Sequence, residues 1–266
     1  MCLLVLAWSA HPRYRLIVAA NRDEYHDRPA EPLGNWPPPQ EMLAGRGLRA
    51  GGTWLGVDRR RRVGVITNFH DLQRAAPTAP SRGGLIPRFM RQGAGAGEYL
   101  SSLEPEAAGY GGFNLLLADG RSLWYGSNRV APFARELSPG VYGLSNERLD
   151  TPWPKLRRVR AGFEAWLSES AAHDADAAAL FALLADSRPA AEAERPPRMG
   201  LSPKWEQTLS APFVRHPQYG TRCSTLVLIE PSGALLLAER RFDREGRCIG
   251  ESEYRLSEEA WPDSGS

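Results

Sequence analysis

Apolar residues open this chain in continuous blocks rather than in strict alternation. Residues 3–8 and 14–20 are rich in leucine, valine and aromatic side chains, and Ser9, Ala10, His11, Pro12 and Arg13 part them. That spacing predicts two strands joined as a hairpin. A hairpin returns residue 2 toward residues 21–23. Further strands are expected at 51–57, 63–68, 113–118, 123–126 and 141–144, divided by glycine turns such as Asp119-Gly120. Apolar positions recur at helical spacing over 85–92 and 98–103, and again through Leu156, Val159, Phe163, Trp166 and Leu167, with 177–184 repeating the pattern. The second helical region opens at Thr151-Pro152-Trp153-Pro154, where proline suits a first turn. Strands return at 225–230, 235–240 and 248–255, while the proline-rich stretches at 36–39 and 188–198 read as loops.

The order is strands, helices, strands, helices, strands. It suits an α+β fold in which two sheets stack and helices are segregated to the outer faces. No internal repeat and no linker-like stretch divides it, so residues 1–266 are expected to form one domain.

Composition narrows the class. Hydrophobic residues make up 42% and charged residues 24% of the chain, ordinary values for a globular protein. The net charge is +2, and almost every basic residue is arginine, Lys155 and Lys204 being the only lysines. No basic patch follows from this, and no nucleic-acid partner is expected. Three cysteines, Cys2, Cys223 and Cys248, are too few and of the wrong parity for a disulfide framework, which favours a reducing, cytoplasmic setting. The opening apolar run has no basic segment before it and is short for a signal peptide. No stretch approaches the roughly 20 apolar residues of a membrane helix. The arginine run 59–62 is expected to be a solvated hairpin tip, and Cys223 and Cys248 are expected in the core.

The candidate chemistry gathers at the N-terminus. If Met1 is removed, Cys2 carries a thiol and an α-amine on one residue, a nucleophile beside a base that is substantially deprotonated near neutrality. The alternative is a small buried strand residue. Asn21-Arg22-Asp23-Glu24 follows the second strand, and the hairpin brings it back toward Cys2. An arginine lowers the pKa of a neighbouring thiol, and a carboxylate can hold a protonated amine. Adjacent strand residues point to opposite faces, so Arg22 and Asp23 can share a site only where the strand bends or ends. Asp23, Glu24, His26 and Asp27 read as a solvated turn rather than a metal site. Gly143-Leu144-Ser145-Asn146-Glu147 lacks the second glycine of a nucleophile elbow.

Ten short motifs, from Met1-Cys2-Leu3-Leu4 and Ala19-Ala20-Asn21-Arg22-Asp23-Glu24 to Tyr219-Gly220-Thr221-Arg222, carry a resemblance across nearly the whole chain. Between them lie Gly51-Gly52-Thr53-Trp54-Leu55-Gly56, Thr67-Asn68, Gly112-Phe113-Asn114-Leu115-Leu116, Tyr142-Gly143-Leu144-Ser145-Asn146 and Thr151-Pro152-Trp153-Pro154-Lys155. This set resembles the NRDE family, also called the transport and Golgi organisation protein 2 family. More distantly it resembles the N-terminal nucleophile (Ntn) hydrolases. The likeness implies a four-layer αββα sandwich and hydrolysis of a linear amide or related acyl bond in a small-molecule substrate. Cys2 would be the nucleophile, Arg22 and Asp23 its activating and amine-holding partners, Asn68 and Asn146 amides lining the oxyanion site, and Arg222 a further arginine closing it. No cofactor or metal is implied on that reading. The family likeness also permits a non-enzymatic carrier of haem or lipid; a haem site would want an axial Cys, His, Met or Tyr in an apolar pocket.

Overall fold

The computed structural model describes residues 3–70, 78–170, 176–194 and 201–262. In chain order the strands are β1 (Leu3–Trp8), β2 (Leu16–Tyr25), β3 (Ala30–Trp36), β4 (Met42–Gly47), β5 (Leu55–Asp58) and β6 (Val63–Asn68). The helices α1 (Leu85–Gln92) and α2 (Ala96–Leu103) follow, then β7 (Phe113–Ala118), β8 (Leu123–Ser127), β9 (Ala134–Glu136) and β10 (Gly140–Leu144). The helices α3 (Pro154–Ser170), α4 (Ala177–Leu184) and α5 (Pro203–Leu209) precede the closing strands β11 (Tyr219–Ile229), β12 (Leu235–Phe242) and β13 (Cys248–Leu256). The class is α+β, as expected, with two sheets.

The chain separates into two compact units, each with one sheet. The first holds residues 1–27, 139–145 and 149–255, and its six-stranded sheet runs β10-β1-β2-β11-β12-β13. Its core joins Leu3, Val5, Ile17 and Ala19 of the hairpin to Leu226 and Leu228 of β11 and to Leu156, Val159, Phe163 and Leu180 of the helices. The predicted spacing of α3 is what makes this layer, because its buried residues are the ones that recur at helical intervals. The second unit holds residues 28–138, 146–148 and 256–266, and its seven strands lie in sequence order, β3 to β9, each antiparallel to the next. There α1 and α2 bury Ile86, Phe89, Tyr99 and Leu100 against Ala44, Ile66 and Leu115.

Several expectations change. β3 and β4 flank the proline-rich loop at 36–39 and, like α5, are not among the expected elements. The signal for α5 is local: Ser202 accepts from the Trp205 N–H and Pro203 occupies the first turn. The arginine run is not solvated at its second half. Arg62 is buried, pairs with Asp58 at 2.7 Å, and donates to the carbonyls of Phe89, Met90 and Ala94 at the end of α1. Arg61 donates to the carbonyls of Ser257, Glu258 and Ala260. Carbonyls left over at a helix end and along a C-terminal turn need donors, and a guanidinium carries five. Cys248 is exposed rather than in the core, because β13 is the edge strand of its sheet. Among the described residues no helix is long and apolar enough to cross a membrane.

Candidate functional site

Cys2 lies outside the described residues, so the site is built from its neighbours. The β1–β2 ladder is described from Trp8↔Leu16 to Leu3↔Asn21. Arg22 and Asp23 therefore follow directly after the partner of Leu3. The strand does not end at Ala20, where its apolar run stops, but continues through the polar signature to Tyr25. What carries it on is pairing with β11, in which Asn21 faces Ser224, Arg22 faces Cys223 and Asp23 faces Thr221.

Alternation then sorts the signature into two pairs. Asn21 and Asp23 lie on the face of Ile17 and Ala19, toward the helices. The Asn21 amide is fully buried and donates to the carbonyls of Leu184 and Pro212 at 2.8 and 3.0 Å, while Ser224 Oγ donates to its Oδ1 at 2.6 Å. Thr221 Oγ1 donates to Asp23 Oδ1 at 2.7 Å and accepts from the Val214 N–H at 2.9 Å. Gly220 permits this close approach, since a Cβ there would stand 2.9 Å from the Val214 carbonyl oxygen.

Arg22 and Glu24 lie on the other face. An Arg22 Nη2 stands 3.8 Å from Glu24 Oε2, with both side chains largely withdrawn from solvent. Glu24 Oε1 accepts from the Tyr25 N–H at 2.9 Å. Cys223 and Glu239, both buried, share this face by register. Burial pushes the Cys223 thiol well up, Glu239 adds to that, and Arg22 opposes it. A thiol so held stays protonated and inert, which fits its reading as a core cysteine.

Arg222 is placed by an irregularity. The register of β2 on β11 shifts between Thr221 and Cys223, leaving Arg222 as the extra residue of a bulge. Its guanidinium turns to the strand end and donates to the carbonyls of Tyr25 and His26 at 3.2 and 3.4 Å. Burial and the charges of Arg22 and Arg244 lower its proton affinity, and Glu24 raises it. Arg22, Asp23 and Arg222 are thus gathered on one strand pair of the first unit.

Asn68 and Asn146 belong to the second unit and meet each other. Asn68 ends β6, and Asn146 Nδ2 donates to its carbonyl oxygen at 3.1 Å. The Asn146 carbonyl in turn accepts from the His70 N–H at 2.5 Å. One of the Asn146 amide hydrogens is therefore spent on backbone. Among the described residues no group of His, Cys, Asp or Glu is arranged to hold a metal. Sequence reasoning left Glu24 and Thr221 without a role. The signal for Glu24 was its spacing of two from Arg22, which on a strand means a shared face.

A helix-backed antiparallel sheet whose second strand carries an arginine–carboxylate pair beside the N-terminal strand marks an α+β protein with its candidate site on the sheet. The chain belongs to the Transport and Golgi organisation 2 family, whose profile matches residues 1–244. It is 34% identical to the Transport and Golgi organization 2 homolog of Mus musculus over 257 residues, covering 90% of this chain and 92% of that protein. The Bos taurus homolog is 35% identical over 260 residues at the same coverage, and the Drosophila melanogaster protein 24% identical over 272 residues, 90% of this chain and 91% of that one. Among solved structures, the chain is similar to a Caenorhabditis elegans N-acylethanolamine-hydrolyzing acid amidase ortholog, at TM-score 0.46 and 10% identity over 86% of this chain and 93% of that one.

Proposed function

We propose that this protein is an N-terminal cysteine hydrolase of a linear amide or related acyl bond, with Cys2 as nucleophile once Met1 is removed. The observation that carries this reading is the β1–β2 ladder, in register to Leu3↔Asn21, which sets a withdrawn arginine and a carboxylate immediately beyond it. Arg22 and Asp23 point to opposite faces, yet a terminal thiol and a terminal amine do not need the same face. The thiol is a side chain and the amine a backbone nitrogen, so the two groups leave the residue in different directions. Arg22 then favours the thiolate, and the Asp23 carboxylate holds the amine.

In the proposed course the Cys2 sulfur attacks the carbonyl carbon, and the thiol proton passes to the α-amine. The tetrahedral oxyanion is held by amide or backbone N–H donors. Collapse breaks the C–N bond, and the α-amine returns the proton to the leaving amine. Water, deprotonated by the same amine, then cleaves the thioester and frees the acid. Arg222 serves at the strand end as a second fixed positive charge.

Two measurements test this. Intact mass of the native protein should lack Met1, since an acylated Cys2 nitrogen cannot act as base; retention of Met1 rules the mechanism out. A thiol-reactive acyl probe should label Cys2 over Cys223 and Cys248, and Cys2→Ala should abolish that labelling. Equal labelling of Cys2 and the exposed Cys248 counts against catalysis, and a saturable absorbance change on haem titration of the same sample would favour the carrier alternative.

A further inference from the structure

The last residue of the Asn21-Arg22-Asp23-Glu24 signature has no part in the course just given, although it shares the face of Arg22. We infer that Glu24 is the positioning residue for Arg22: its carboxylate fixes the guanidinium on the face turned away from the helices, and so sets the reactivity of the thiol that Arg22 serves. The inference deepens the Cys2 reading and rests on it.

Three features carry it. Glu24 is itself held, because Oε1 accepts from the Tyr25 N–H at 2.9 Å, one residue along the same strand. Its other oxygen then stands 3.8 Å from Arg22 Nη2, within ion-pair range though beyond a hydrogen bond. Finally, Glu24 lies within electrostatic reach of two arginines that repel each other, for Arg22 and Glu24 act in opposite senses on Arg222. A carboxylate so placed screens two guanidiniums and keeps Arg22 from swinging away from its neighbour on the bulge. A backbone-anchored carboxylate removes rotamers from an arginine that pairs with it.

Among the described residues, the charged and titratable groups that register places on this face include Arg22 and Glu24 of β2, Tyr142 of β10, Cys223 of β11, and Glu239 and Arg241 of β12, with Arg222 on the bulge and Arg244 beyond the strand end. Charge alone and positioning predict opposite results for Glu24→Gln. Removing a negative charge from this group favours a nearby thiolate, and alkylation should quicken. Losing the anchor of Arg22 disfavours the thiolate, and alkylation should slow.

The experiment is the pH dependence of iodoacetamide alkylation on the full chain, read at each cysteine by peptide mass spectrometry. In the unsubstituted protein the Cys2 midpoint should lie below the ordinary thiol value of about 8.5. Glu24→Gln should raise that midpoint by about one unit. At pH 6.5 the rate should fall only about threefold, because a more basic thiolate is the better nucleophile. In an Arg22→Gln background the same change should bring no further rise, since Glu24 acts through Arg22. An unchanged or lowered midpoint in Glu24→Gln overturns the inference and leaves the Cys2 reading standing, as does an equal rise in both backgrounds. A Cys2 that titrates as an ordinary thiol in the unsubstituted protein removes both. Cys223 reports folding, because it is buried and should stay unlabelled. If Glu24→Gln exposes it, Glu24→Asp takes its place, with a smaller rise expected and an unmoved midpoint overturning the inference.

Discussion

The two faces of β2 use polar residues in opposite ways. Toward the helices, Asn21 and Asp23 are fastened by short hydrogen bonds to Leu184, Pro212, Ser224 and Thr221. On the other face, Arg22 and Glu24 stand at ion-pair distance, beside a buried thiol and a buried carboxylate. The first arrangement ties the end of α4 and the segment before β11 to the sheet. The second keeps a positive charge in a largely desolvated place, where its field on a neighbouring group is stronger than in water. One four-residue signature thus divides by face: Asn21 serves structure, Asp23 is both fastened by Thr221 and the proposed holder of the amine, and Arg22 and Glu24 are the charged pair of the candidate site. The second unit has a counterpart to the fastening face: Asn114, fully buried, donates to Thr67 Oγ1 and the Glu147 carbonyl and accepts from Tyr125.

Substitutions at Asn21 and its partner Ser224 should therefore change stability and leave Cys2 reactivity alone. The largest effect should come from Asn21→Leu, which strips the donors from two buried carbonyls and the acceptor from Ser224. Each orphaned group costs about 1–3 kcal/mol, so a loss of about 3–5 kcal/mol is expected by chemical denaturation. The Cys2 alkylation midpoint should not move. A shift in that midpoint without a loss of stability would erase the distinction between the faces.

A smaller loss is expected for Ser224→Ala, about 1–2 kcal/mol, because it leaves Asn21 with both donor bonds and removes one acceptor contact. Its effect should largely vanish in the Asn21→Leu background, since the two side chains share one bond. Full additivity in the denaturation cycle would mean that Ser224 is held by something other than Asn21.

How much of this was legible beforehand depends on the local code at each place. The β1–β2 hairpin and α3 announced themselves because their apolar residues sit at the period of the element they form. β3 and β4 did not, since Pro32, Gly34, Gly45 and Gly47 break the strand pattern. Those positions answer to packing: a Cβ on Gly45 would stand 2.4 Å from the Trp54 ring. The proximity of Arg22 and Asp23 to the N-terminal strand followed from the hairpin alone. The role of Glu24 did not, because it depends on a strand continuing past its apolar run, and only pairing with β11 decides that. Arg61 and Arg62 were unreadable for a related reason. A run of four arginines looks solvated until the tertiary fold supplies carbonyls that lack donors.

The weakest effect should separate the faces by pH. His11, buried at the hairpin turn, packs on Tyr14 and Trp166 and lies 3.2 Å from Ser170 Oγ through Nε2. Its Nδ1 accepts from the N–H groups of Arg13 and Tyr14, and Ser170 Oγ donates to the Trp166 carbonyl, so the network assigns the single ring proton to Nε2. A second proton would have to go on Nδ1, where it meets two donors. Burial lowers the His11 pKa below the usual 6.5, and Arg13 adds to that against the Ser170 bond. The unfolded chain therefore takes up the proton first as pH falls. Stability is undiminished above about 6.5 and declines as pH drops from there through the folded-state pKa. His26, also lowered by burial, contributes in the same sense and is present in any His11 variant. The His11 share is thus the difference between the unsubstituted protein and His11→Gln, measured by denaturation at pH 7 and pH 5. The unsubstituted protein should lose more stability over that interval, by less than Ser224→Ala costs at pH 7. Equal losses would mean that His11 titrates alike in both states. A His11→Gln protein with an altered Cys2 midpoint would show that the two faces are electrically coupled through the sheet.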